Sequence, residues 1–155
     1  MKILSTLIIS VFATVSFSQI RLYMGDSTFD SDIAYTIKDN LVYSGDGVFD
    51  NIVILRLEDN KVYHGNSTMT FDCLYTIKDN KVYRGSSTFS NDIIYTIEDN
   101  KVYRGNSTFS TSCVLTYEDN KVYAGDSNFS SDCIITIEGE NILSLAFLAC
   151  IVGPY

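Results

Sequence analysis

The sequence predicts an all-β fold of six tandem 20-residue β-hairpin repeats arranged as a closed meander, with an open single-layer sheet or a solenoid as the alternative. Three observations predict it. The repeat keeps one phase from Leu22 to Thr136, its clearest copies running from Lys81 to Asn100 and from Lys101 to Asn120. Each copy contains a run such as Asp92 to Glu98 in which apolar and polar residues alternate with the period of a strand. An Asp-Asn pair recurs at 39–40, 59–60, 79–80, 99–100 and 119–120, between that strand and the next. A unit this short does not persist alone, so the copies must share hydrogen bonds and core with their neighbours.

The elements follow in chain order. Residues 1–18 read as a signal peptide: Lys2 is the positive start, Ile3 to Phe17 hold an apolar stretch, and Ser16 and Ser18 place small residues before a cut at Gln19. That stretch is shorter than the roughly 20 residues needed to span a bilayer. The expected product is an exported protein, periplasmic or extracellular. Residues 19–140 form the repeat domain, opened by Ile20 to Tyr23, an extra copy of the Lys-Val-Tyr strand that lacks a preceding partner and is available to close a ring against the last hairpin.

Within a unit, alternation puts Ile93, Tyr95 and Ile97 on one apolar face and Ile94, Thr96 and Glu98 on the other. On the second face the threonine level reads Thr36, Thr76, Thr96, Thr116 and Thr136, interrupted by Arg56. Asp and Asn tolerate positive φ, so Asp-Asn makes a two-residue hairpin turn. The resulting register sets Glu58 opposite Lys61, Glu98 opposite Lys101 and Glu118 opposite Lys121, attractive pairs of about 0.2–1 kcal/mol each, with Lys78 opposite Lys81 as the exception. It also sets Val102 across from Ile97 and Tyr103 across from Thr96. A glycine at 25, 45, 65, 85, 105 and 125 then ends the strand and opens a polar loop. Phe29, Phe49, Phe89, Phe109 and Phe129 recur in that loop, with Met69 as the sixth member, and are expected to fold back into the core. Residues 141–155, uncharged and apolar from Ser144 to Val152, are expected to cap the array.

Composition limits the partners. Without residues 1–18 the chain has 10 Lys plus Arg against 19 Asp plus Glu, a net charge of −9. With no basic cluster, it would repel nucleic acid and anionic membrane surfaces. A hydrophobic content of 46% supports a core and excludes disorder as the reading.

The run Tyr95 to Gly105 resembles the MORN repeat, in which a hairpin turn is followed by Tyr-x-Gly, although this unit is shorter and has Ile93-Ile94-Tyr95 where that family has Gly-x-Gly. The alternation of a Val-Tyr strand with an Ile-x-Tyr-Thr-Ile strand also resembles bacterial β-flower proteins, whose hairpin petals close around an axis in a flower- or propeller-like meander. Both resemblances cover Ile20 to Ile137. They imply a binding or scaffolding module rather than an enzyme, and they transfer no site residues.

Chemistry is sparse. His64 occupies a position filled elsewhere by Ser44, Arg84, Arg104 and Ala124, which reads as a solvated variant. Carboxylates are abundant, yet no pair stands out as the acid and base of a glycosidase. The loop from Gly25 to Asp32 gathers Asp26, Asp30 and Asp32, a candidate calcium set, but Asn106, Ser110 and Ser112 replace all three in copy five. No metal or cofactor is expected. Cys73, Cys113 and Cys133 share a column with Ile and Val and read as buried hydrophobes. Export permits disulfides, with Cys150 in the tail in reach of any of the three.

The expected function is a secreted, non-enzymatic repeat module for binding or scaffolding, with a polysaccharide or a surface protein as partner. Tyr43, Tyr63, Tyr83, Tyr103 and Tyr123 are the candidate ligand-binding residues, offering ring faces to a glycan. The alternatives are a secreted hydrolase and a protein that binds ice or crystal surfaces through its threonine column.

Overall fold

The Asp-Asn pairs take the conformation that a tight hairpin demands. Asp39 and Asn40 have φ of 52° and 64°, and Asp59–Asn60, Asp79–Asn80 and Asp119–Asn120 repeat this. Positive φ at both central residues matches the turn to the twist of its strands. The computed structural model describes residues 19–49, 52–139 and 143–153; the signal peptide read at 1–18 lies outside them.

Twelve antiparallel strands result. They are β1 (Ile20–Met24), β2 (Ile33–Lys38), β3 (Leu41–Ser44), β4 (Val53–Glu58), β5 (Lys61–His64), β6 (Cys73–Lys78), β7 (Lys81–Arg84), β8 (Ile93–Glu98), β9 (Lys101–Arg104), β10 (Cys113–Glu118), β11 (Lys121–Ala124) and β12 (Cys133–Glu138). Each pairs with its neighbours in sequence, and β1 pairs with β12, so the sheet closes into a barrel. The unpartnered leading strand is what closes it. Closure removes the exposed sheet edges that would otherwise template aggregation.

The turn register is as read from the charges: Glu98 faces Lys101, Ile97 faces Val102 and Thr96 faces Tyr103. Glu58–Lys61, Glu118–Lys121 and the like-charged Lys78–Lys81 follow the same rule. The ammonium groups of Lys101 and Lys121 lie instead against Asp126 and Asp26, at 2.7 and 2.5 Å, and Arg21 lies 3.3 Å from Asp46. Each pair links the start of a short strand to the loop of the next hairpin. Lys121–Asp26 crosses the seam, where the Thr136 hydroxyl also donates to the Gly25 carbonyl at 2.8 Å and the Tyr23 hydroxyl to Glu138 at 2.6 Å.

The facing of the strands departs from simple alternation. On the other side of each short strand the register slips by one: Val82 pairs with Tyr95 but Tyr83 pairs with Ile93, leaving Ile94 as the extra residue of a bulge. The other short strands show the same slip. A one-residue slip exchanges faces. Ile93 therefore sits beside Tyr83 on the outer side, and Ile94 packs on the core with Tyr95 and Ile97. Cys73, Cys113 and Cys133 go outward likewise; the Cys133 thiol lies 3.8 Å from the Thr136 hydroxyl.

The lumen is filled by the C-terminal segment. Helix α1 (Leu145–Val152) buries Ala146 through Ile151 without interruption, which a short helix achieves only when protein surrounds it. Around it stand Leu22, Val42, Val62, Val82, Val102 and Val122, all fully buried. The Ser144 side chain caps the helix by accepting from the Phe147 amide at 3.2 Å. At the far end a Cβ on Gly153 would come within 2.3 Å of the Ala149 carbonyl oxygen and 2.7 Å of the Tyr95 hydroxyl, so only glycine lets the chain pass. Cys150 is enclosed with the helix, and burial pushes its thiol up to about 12. The barrel wall separates it from the three outward cysteines, which corrects the expectation that Cys150 reaches them; none of the four is in a disulfide.

Candidate functional site

Two regions at the loop-bearing end of the barrel present unusual chemistry. The first is built by the six loops that follow the short strands. Each begins at a glycine of positive φ, from 58° at Gly65 to 71° at Gly45, which turns the chain back over the outer face of the wall. Threonines of the long strands hold that reversal: Thr36 donates to the Gly45 carbonyl at 2.7 Å, and Thr76, Thr96 and Thr116 make the same bond to Gly85, Gly105 and Gly125. This contact is why the threonine column is buried, at most 8% exposed, rather than displayed as a ladder.

The tyrosine column lies under the same cover. Tyr43, Tyr63, Tyr83, Tyr103 and Tyr123 are 6–8% exposed, so their ring faces are not offered to a ligand. Burial also pushes the Tyr103 and Tyr123 phenols above their ordinary value. The loop phenylalanines take the reverse position. Phe29, Phe49, Phe89, Phe109 and Phe129 are 69–78% exposed and Met69 is 59% exposed, which corrects their assignment to the core. Phe71, beside Met69, is exposed as well.

In four of the five phenylalanine loops a polar bracket holds the ring out; the Phe49 loop, with Gly47 and Ile52 at the bracket positions, keeps only the backbone bond from the Ile52 amide to the Phe49 carbonyl at 3.0 Å. The Ser87 hydroxyl donates to Asp92 and accepts from the Phe89 amide at 3.1 Å, while the Asp92 amide donates to the Phe89 carbonyl at 2.9 Å. Ser27–Asp32, Ser67–Asp72 and Ser127–Asp132 repeat the side-chain bond at 2.5 Å. In copy five Ser112 replaces the aspartate, yet the Ser107 hydroxyl still accepts from the Phe109 amide at 3.3 Å. Both backbone groups of the phenylalanine are thus fixed locally, and its side chain is left to solvent. The signal was present in the sequence as the serine and aspartate that flank Phe29, Met69, Phe89 and Phe129 at constant spacing: a loop that pins itself does not need the apolar side chain as an anchor.

The second region is the mouth of the lumen. Met24, Ser44, His64, Arg84, Arg104 and Ala124 end the short strands on the inner side of the wall, Arg84 opposite Tyr75 and Arg104 opposite Tyr95. A cavity of about 340 Å³ opens there between Tyr75, Arg84, Ile94, Tyr95 and Arg104. Arg104 also borders an adjoining cleft of about 400 Å³ with Thr111, Ser112 and Val114.

The acidic loop has its carboxylates drawn to different partners: Asp26 is paired with Lys121, and Asp32 accepts from Ser27 and, at 3.2 Å, from Ser31. Among the described residues no group of three or more His, Cys, Asp or Glu side chains is placed to hold a metal ion. No helix among them is long and apolar enough to cross a membrane.

No curated protein and no solved structure matches the chain. The family described as 6-fold beta flower protein matches it over residues 22–151, a span that takes in the twelve-stranded ring from Leu22 onward and nearly all of the helix in its lumen. With six hairpins closed about one axis and matched over most of its length, the chain belongs to the 6-fold beta flower protein family.

Proposed function

We propose that the protein is an exported, non-enzymatic binding module, acting in the periplasm or outside the cell, that engages a polysaccharide multivalently through the exposed rings of its six loops. The observation that supports the reading is the exposure of Phe29, Phe49, Phe89, Phe109 and Phe129 at equivalent positions around a closed barrel. Large apolar side chains repeated at one level of a surface supply the kind of exposed apolar area on which interaction sites are built. Aromatic rings stack on the C–H faces of sugars while the surrounding Ser, Thr and Asp groups hydrogen-bond hydroxyls. Six weak, similar sites on one rigid body raise avidity over a single site by about 10²- to 10⁴-fold when a repeating ligand bridges them. Export rests on the leader-like residues 1–18.

The test is retention on immobilised cell-wall and host polysaccharides. Replacing the five loop phenylalanines by alanine is expected to abolish retention while the thermal transition is preserved, because the rings contribute little to the core. Equal retention of the parent and the five-alanine protein would overturn the reading. Retention only on an immobilised surface protein would replace the glycan with a protein partner.

A further inference from the structure

We infer that the mouth of the barrel between the third and fourth hairpins, β6–β7 and β8–β9, is a single binding site for an acidic sugar, recognised through Arg84 and Arg104. The inference rests on the glycan-binding reading above and names the ligand class at a second site, separate from the loop rings. Six equivalent positions circle the mouth, and they hold Met24, Ser44, His64, Arg84, Arg104 and Ala124. Only one interval therefore places two guanidinium groups on adjacent hairpins, and it is there that the cavity of about 340 Å³ lies, lined by both arginines. The paired guanidinium groups and the cavity coincide.

The chemistry of the cavity selects the ligand. Tyr75 and Ile94, both half-buried, supply apolar surface suited to the C–H face of a sugar ring, over a floor closed by the buried Tyr95. Arg84 and Arg104 are both exposed, and among the described residues neither forms an ion pair or a side-chain hydrogen bond, whereas Arg21, Arg56, Lys101 and Lys121 are all paired with carboxylates. Guanidinium groups present fixed donor forks that match carboxylate or sulfate oxygens two at a time. In a chain of net charge −8, two unneutralised arginines converging on one cavity are the feature that an anion would seek. Beyond Arg104, the adjoining cleft offers the hydroxyls of Thr111 and Ser112 to a further sugar unit. The cavity volume falls in the range of small-ligand sites, about 300–1,000 Å³.

Calorimetric titration of the full mature chain with three probes tests the site: a trigalacturonate, a sulfated trisaccharide and a neutral galactose trisaccharide. One or both acidic probes are expected to bind with one site per chain and the neutral probe at least tenfold more weakly. The arm that binds identifies carboxylate or sulfate as the acid. Arg84→Gln and Arg104→Gln are each expected to weaken binding about tenfold, and raising the salt from 50 to 500 mM to weaken it further. Both side chains are exposed, so the variants keep the fold. Equal affinity for neutral and acidic probes, undiminished binding by the double glutamine variant, or no binding of either acidic probe at millimolar concentration would each overturn the inference. The five-alanine loop variant is expected to retain the one-site titration. Loss of polysaccharide retention in that variant with the acidic titration intact, or the converse in the arginine variants, separates the two readings.

Discussion

Two phenylalanines of identical chemistry should respond to truncation in opposite ways, and the contrast tests the architecture directly. Phe147 on α1 is 1% exposed inside the barrel, whereas Phe89 on the fourth loop is 78% exposed. Phe147→Ala empties space between the helix and the ring of valines, a wall already closed by twelve strands and unable to collapse freely. The expected cost is about 3–5 kcal/mol. For a chain of this length that lowers the melting temperature by about 10–15 °C. Phe89→Ala removes a solvated ring and should stay within about 0.5 kcal/mol, a shift of about 2 °C. Differential scanning calorimetry and urea denaturation of both variants, with near-ultraviolet circular dichroism as a check on the fold, measure the pair. A Phe147→Ala protein melting within 2 °C of the parent would refute the placement of the helix in the lumen, and a Phe89→Ala loss as large as that predicted for Phe147 would refute the exposed loop.

Three further outcomes are expected. Tyr23→Phe removes the hydroxyl that donates to Glu138 across the seam, and the midpoint of urea unfolding should fall by an amount equivalent to about 1 kcal/mol, since Glu138 reaches water and is partly resolvated. Cys150 should resist thiol reagents in the native state at pH 8 and react on unfolding. Its native thiol stays protonated up to about 12 while the unfolded one ionises near 9, so its contribution is intact below pH 9 and lost as pH rises towards 12, at about 1 kcal/mol per pH unit. The difference in pH dependence between the parent and Cys150→Ala isolates that slope. Ser87→Ala cuts the bracket around Phe89, and amide exchange at Phe89 should quicken about tenfold with little change in global melting.

The sequence by itself determined the unit, the turn and the register, because these depend on contacts between residues a few positions apart. Asp-Asn requires no distant partner to adopt positive φ, and once the turn is set the pairing of Glu98 with Lys101 and of Thr96 with Tyr103 follows by counting. Closure was legible from Ile20 to Tyr23, a strand left without a partner. The inner orientation of Arg84 and Arg104 was legible in the same way, since each stands two residues beyond a core valine, but their convergence on a cavity was not.

Only the tertiary structure decided which residues face the lumen at the end of each long strand and what fills it. The bulge at Ile94 and its equivalents exchanges faces, and it lies in the pairing of strands joined by the long loop, where no tight turn fixes the register by counting. The fate of the aromatic columns followed from closure of the ring. Loops folded back over the wall cover Tyr83 and Thr96, local hydrogen bonds fix the loop at Phe89, and α1 already occupies the core that the phenylalanine was expected to fill. Alternation reports that a residue is apolar, whereas exposure depends on what else has taken the interior.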